Sequence, residues 1–165
     1  MSGIIGVSPD MKSGVVGTVS AGGRVVQTVV DVKTVGTITM GNNTSMTTTG
    51  VASSITPTSA SNKIYILVQG GSGHNPYVSQ QMHSTIHSSV NGYLGSGSAG
   101  YIEMHGGGTN TLAFAPHSMS MYDTPNTSST VTYTLYAKNS NGSLANVYFN
   151  IQANRMTITL MEIAV

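Results

Sequence analysis

An all-β, jelly-roll-like sandwich with an extended N-terminal arm is the fold class predicted by three features of this sequence. From Gly22 onward, short runs rich in Val, Ile, Thr and Tyr are separated by clusters of Gly, Asn, Ser and Pro, which is the punctuation of a sandwich. No segment sustains a capped helical period. Residues 1–21 differ in kind. Gly3, Gly6, Gly14 and Gly17 bracket the apolar pairs Ile4-Ile5 and Val15-Val16, and such a stretch has no face of its own to pack on.

The elements follow in order. Strands are expected at Arg24–Lys33, Met46–Ile55, Lys63–Gln69, Tyr77–Leu94, Tyr101–Met104, Thr111–Phe114, Ser118–Tyr122, Thr130–Lys138, Asn146–Gln152 and Arg155–Ile163, a jelly-roll-like number. Alternation assigns inward faces. Ile64, Ile66 and Val68 share one side of their strand, and Val131, Tyr133, Leu135 and Ala137 share another. The last strand begins with Met156, Ile158 and Leu160 against Thr157 and Thr159, then becomes apolar on both sides through Met161, Ile163 and Val165. A strand apolar on both faces is covered on both, so Met161, Ile163 and Val165 are expected at an interface between copies of the chain. Met82, Ile86 and Val90 fit either a helix or a strand, and the Ser/Thr content around them favours a strand.

Composition narrows the function. At 165 residues the chain suffices for one domain, here 22–165, plus the arm at 1–21. Only 7% of residues are Asp, Glu, Lys or Arg, against about 25% in an ordinary protein, so the surface must be Ser, Thr, Asn and Gly. The net charge is +1 and six basic residues are scattered from Lys12 to Arg155, which argues against nucleic-acid binding. Cysteine is absent, so there is no disulfide framework. No run approaches the ~20 apolar residues of a membrane span, and the N-terminus has no signal-peptide pattern. The expectation is cytoplasmic synthesis without membrane insertion.

His83 and His87 would share a metal on a helix, but on a strand they stand about 13 Å apart, so they are expected on a polar outward face. His105-Gly106-Gly107-Gly108 resembles an oxyanion segment, yet no Gly-x-Ser-x-Gly elbow accompanies it. Glu103 with Asp123 is the one carboxyl pair that could be put forward for glycoside hydrolysis. No catalytic residue, metal or cofactor is expected. Eight Tyr against two Phe is a tilted ratio, and Tyr77, Tyr93, Tyr101 and Tyr122 fall near turns, where a ring can face a glycan or cover a core edge.

The leader MSGIIGVSPDMKSGVVG, the strand Arg24–Val29, the segment Ser54–Ile64 and the ending Met156–Ala164 together resemble a family of virion proteins from tailed bacteriophages, particularly marine and cyanobacterial ones. The resemblance spans most of the chain, with Ser72–Thr127 outside it. It implies a non-enzymatic virion surface component: a β-sandwich knob, in threes, attached to the particle by its N-terminal peptide. On this reading Ile4, Ile5, Val15 and Val16 are docking residues, their partners are capsid or tail proteins, and the knob sits on the virion surface as a capsid decoration or short head fibre. The alternative is a tail-fibre knob that binds host surface glycan through loops bearing Tyr77, Tyr93 and Tyr101.

Overall fold

Residues 23–41, 44–75, 81–97, 100–105, 113–139, 147–150 and 153–165 are described by a computed structural model. The docking pairs Ile4-Ile5 and Val15-Val16 lie outside these residues, as does Tyr77. Runs of β-branched and aromatic residues carry the described chain into eleven strands: β1 Val25–Thr34, β2 Ile38–Met40, β3 Thr47–Ile55, β4 Lys63–Asn75, β5 Gln81–Ser88, β6 Gly92–Tyr93, β7 Ile102–His105, β8 Ala113–Asp123, β9 Val131–Asn139, β10 Val147–Phe149 and β11 Arg155–Ile163. No helix occurs among the described residues. The protein is all-β, with antiparallel sheets packed as a sandwich.

In the first sheet β4 is the spine. β8 runs along one edge of it, while β11 pairs with Lys63–Gly70 and β10 with Gly73–His74 on the other; β1 lies beyond β11, and β2 beyond β10. In the second sheet the order is β3-β9-β5, with β6 and β7 sharing the far edge of β5. The chain passes back and forth between layers: β1 and β2 in the first, β3 in the second, β4 in the first, β5 to β7 in the second, β8 in the first, β9 in the second, and β10 and β11 in the first.

The first sheet is interrupted at one level across three strands. Gly70 and Gly71 of β4 have φ of +94° and +69°, and a Cβ on Gly70 would lie 2.6 Å from the Arg155 carbonyl oxygen. Beside them Asn150, fully buried with φ 54°, turns the chain between β10 and β11. Its Nδ2 donates to the carbonyls of Val35 (2.6 Å) and Asn154 (3.0 Å), and its Oδ1 accepts from the Asn154 N–H (3.1 Å). Val35 occupies the gap between β1 and β2. Residues that tolerate positive φ therefore meet at the same seam.

The alternation predicts the core correctly. Ile64, Ile66, Val68, Met156, Ile158 and Leu160 of the first sheet face Val131, Tyr133, Leu135, Ala137, Met82 and Ile86 of the second, all fully buried. Boundaries differ in places. β4 runs on past Gln69 because the glycine bulge bends the strand without ending it. The expected strands Thr111–Phe114 and Ser118–Tyr122 are one strand, β8, which passes through Pro116. Among the described residues β8 pairs only with β4, so a proline there breaks no second ladder among them. The expected strand Tyr77–Leu94 is β5 and β6, separated by a turn at Ser89–Asn91. β2 was not expected at all, because its three residues are too few for a pattern.

Candidate functional site

The first sheet presents an outward face of unusual composition. Register aligns Thr28, Met161, Tyr65 and Tyr122 in one row across β1, β11, β4 and β8, Val30, Thr159, Leu67 and Ser120 in the next, and Val32, Thr157, Gln69 and Ser118 in a third. In β1 the usual polarity is reversed. Val30 and Val32 are each 57% exposed, while Gln27 and Asp31 turn toward the other layer, where Gln27 Nε2 donates to Glu162 Oε2 (2.6 Å) and Asp31 Oδ2 accepts from Ser53 Oγ (2.6 Å). Met161 and Ile163 are half-buried on this same outward face, and Val165 is 66% exposed just beyond it. The expected interface residues thus lie on or beside one mixed face, on which Val30, Val32, Leu67 and Met161 stand among Thr28, Thr157, Thr159, Gln69, Ser118 and Ser120.

Tyr122, itself 65% exposed, separates two depressions at the margin of this face. One, of about 450 Å³, is lined by Gly23, Lys63, Tyr122, Thr124 and the chain end Ile163–Val165. The other, of about 320 Å³, is lined by Tyr65, Tyr101, Ser120, Met121 and Tyr122. The Tyr65 and Tyr122 rings are tilted against each other at 5.0 Å. Tyr101 reaches the second cleft from the loop before β7, where its N–H donates to the Ser84 carbonyl (2.7 Å). Tyrosine convergence of this kind could not be read from sequence, since residues 65, 101 and 122 come from separate strands and one loop.

The outward face of the second sheet is built otherwise. Hydroxyls pair across β3 and β9, Ser54 with Thr132 and Thr56 with Thr130, both at 2.8 Å. Next to them His87, Tyr93 and Tyr136 form a three-ring cluster with centroid separations of 4.9, 5.3 and 5.5 Å. Tyr93 is therefore a cluster member, 38% exposed, and is not brought together with Tyr101. Residues 94–97 and 100–101 fold back over β5. Gly95 N–H donates to Thr85 Oγ1 (3.2 Å), and a Cβ on Gly100 would come within 2.9 Å of His83 Cβ. This cover corrects the expectation of a polar outward pair: β5 is a strand, as expected, but His83 is buried under the loop and His87 is stacked between rings.

Buried polar groups serve to tie the layers together. Glu162 Oε1 accepts from Asn62 Nδ2 (2.6 Å), Thr58 N–H (2.7 Å) and Thr58 Oγ1 (2.8 Å), linking β11 to the β3–β4 loop. Burial alone would raise its pKa, but the donors from Asn62, Gln27 and Thr58 outweigh it and hold the carboxyl below its ordinary value. His117 of β8 crosses the core to Ser84 Oγ (2.9 Å), and burial pushes its pKa down to about 4. The pair has the residue types of a nucleophile and base, but both members are sealed between the sheets, at 1% and 0% exposure. Asp123 accepts from Tyr133 OH (2.9 Å) and Asn91 Nδ2 (2.7 Å) at one end of the sandwich. Glu103 pairs opposite His83, five residues along β5 from the Ser88 end of that strand. Glu103 and Asp123 thus come from different sheets. No group of three or more potential metal ligands occurs among the described residues.

No protein-family model matches the chain, and no curated protein matches it. Among solved structures, one of infectious bursal disease virus Gt strain is similar at 13% identity and a TM-score of 0.29; the match covers 99% of this chain and 45% of that one. The chain thus spans less than half the length of that structure, and a likeness at this score decides nothing about topology or role.

Proposed function

We propose that this chain is a non-enzymatic structural protein of a tailed-bacteriophage virion, a jelly-roll knob displayed in threes on the particle surface and attached through residues 1–21. The observation that bears most on this reading is the outward face of β1, β11, β4 and β8. Exposed Val30 and Val32 beside Met161, Ile163 and Leu67 make a face suited to burial against further copies. The passage of the chain back and forth between a six-stranded and a five-stranded layer supports the jelly-roll reading, an architecture used by capsid domains and lectins alike. The leader and the final strand support the virion assignment through the family they resemble. A capsid decoration or short head fibre suits a knob whose arm has no shaft between it and the domain.

Sedimentation equilibrium of the full chain tests the assembly: the expected mass is three times the 17.0 kDa chain, and a clean monomer overturns it. Labelling of particles with an antibody to the knob tests the location, with loss of label expected on deletion of residues 1–21.

A second reading, a knob that recognises host surface glycan, is favoured by one observation. Among the described residues the Tyr65, Tyr101 and Tyr122 cleft has no charged lining residue and sets three tyrosines beside Ser120, which suits a neutral sugar. Glycan-array binding that disappears with Tyr101→Ala would support it.

A further inference from the structure

We propose that Asn91 is a site of spontaneous deamidation, by attack of the Gly92 backbone nitrogen on the Asn91 side-chain carbonyl, and that the folded chain restrains this reaction by holding the Asn91 amide on Asp123 and Thr124. The site stands at one end of the sandwich, where the turn after β5 meets the end of β8 and the core residue Tyr133.

The turn supplies the reacting pair. Ser88 and Gly92 face each other across β5 and β6, so residues 89–91 form a three-residue loop. Gly92 has a φ of +74°, with open space where a Cβ would lie, so the left-handed backbone and not crowding favours glycine here. Asparagine before glycine is the pairing most open to backbone attack, because no Cβ on the second residue blocks its nitrogen from the side-chain carbon. Asn91 is exposed, so water, the other reactant, reaches it.

The surrounding structure restrains the attack. Asn91 Nδ2 donates to Asp123 Oδ1 (2.7 Å) and to the Thr124 carbonyl (3.1 Å), so both of its protons are engaged. Asp123 is buried, and its other oxygen accepts from the buried Tyr133 hydroxyl (2.9 Å), which fixes the acceptor as well as the donor. Gly92 is held in the ladder opposite Ser88. The turn must open before the Gly92 nitrogen can lose its proton and reach the Asn91 side-chain carbon. The native rate is then the rate of the opened turn multiplied by its small population.

The step balances with water alone. A bond forms from the Gly92 nitrogen to Asn91 Cγ, the Cγ–Nδ2 bond breaks, and Nδ2 leaves as ammonia carrying, in net, the Gly92 proton. Water then opens the cyclic imide at either carbonyl, giving aspartate at position 91 or its isomer linked through the side chain. Aspartate sets a negative charge where Asp123 had a donor, and like charges beside a buried carboxylate disfavour the folded state. The isomer lengthens a turn already bound to β9, where Ser89 N–H donates to the Thr132 carbonyl (2.9 Å) and Ser89 Oγ accepts from the Thr132 N–H (3.0 Å). Either product weakens this end of the sandwich, and loss of ammonia makes the change one-way.

The test incubates the full chain at mildly alkaline pH with and without urea, digests it with trypsin, and follows the amide-to-acid mass gain in the peptide 64–138. That peptide carries Asn91-Gly92 and excludes the other Asn-Gly pair of the sequence, Asn141-Gly142. Conversion is expected to be at least about tenfold slower in the folded chain than in urea, and Asp123→Ala is expected to raise the folded rate most of the way to the urea rate. No gain in urea overturns the site. Equal rates with and without urea, or a folded rate unchanged by Asp123→Ala, overturn the restraint. Where Asp123→Ala does not fold, a second comparison decides: Asn91→Asp should lower the melting temperature more than Asn91→Ala, and the excess should vanish when each is combined with Asp123→Asn. An equal drop in the two single variants overturns the link to Asp123. None of these readouts involves particles, so failure here leaves the virion reading standing, and loss of the virion reading leaves this one intact.

Discussion

The two outward sheet faces are made of similar strands and solve opposite problems. On the second sheet several outward features are completed within the chain: Ser54 and Thr56 are paired with Thr132 and Thr130, the three rings of His87, Tyr93 and Tyr136 pack on one another, and His83 and Thr85 are covered. On the first sheet Val30, Val32, Met161 and Tyr122 lie in rows over which no described loop passes, and β1 turns its polar residues inward to do so. The lesson is that polarity along a strand does not by itself say which side faces the other layer. The inward Asp31 also discourages edge pairing along β1, whose other side has no neighbouring strand among the described residues.

Breaking that contrast should give the largest effect first. Val30→Asp with Met161→Asp is expected to reduce the sedimenting mass to that of a single chain, while Thr132→Asp with Thr134→Asp leaves the assembly intact; equal behaviour of the two pairs would erase the difference between the faces.

The polar ties between layers come next. His117 has its folded pKa lowered to about 4 from 6.5, so its contribution is complete above pH 6.5 and is lost as pH falls toward 4, because the unfolded chain takes up the proton first. The loss amounts to about 3 kcal/mol. Urea unfolding across that window should steepen accordingly, and His117→Phe should flatten it. Glu162 works lower. Its folded pKa is depressed, so its stabilisation is present above the ordinary value of 4.5 and fades as pH falls through the folded value. Glu162→Ala leaves the Asn62 and Thr58 donors unpaired and should cost about 3 kcal/mol at pH 7, read as a drop of roughly 6–12 °C in melting temperature.

The smallest effect separates the aromatic groups. Tyr93→Ala removes two edge-to-face contacts and should cost about 1 kcal/mol, whereas Tyr122→Ala, mostly exposed, should change the stability of the isolated chain by less than about 0.5 kcal/mol. A larger loss at Tyr122 would mean that the first sheet's face is already covered within one chain.

Much of this architecture was legible in advance. The period-2 runs at Ile64–Val68, Val131–Ala137 and Met156–Leu160 identify core positions that the structure buries completely, because alternation is a local geometric property of a strand. The apolar Met161 and Ile163 signalled an outward apolar face for the same reason. The equally important Val30 and Val32 were missed. A strand reading Val-Val-Asp-Val-Lys alternates, and alternation alone does not say which side is inward. Asp123 and Glu103 were paired because carboxyls are few, but only register shows them in different sheets.

Local composition was enough to decide that the described chain is β and which residues form its core, since each follows from backbone preference and from burial of alternate side chains. Tertiary structure alone decided three further matters. It continued β4 through Gly70-Gly71 by matching that bulge to Asn150, placed Tyr65, Tyr101 and Tyr122 around one cleft, and set the chain's entry at Gly23 beside Val165. Each depends on pairing between segments tens of residues apart, and the energy of such pairing lies in the register of whole strands rather than in any short stretch of sequence.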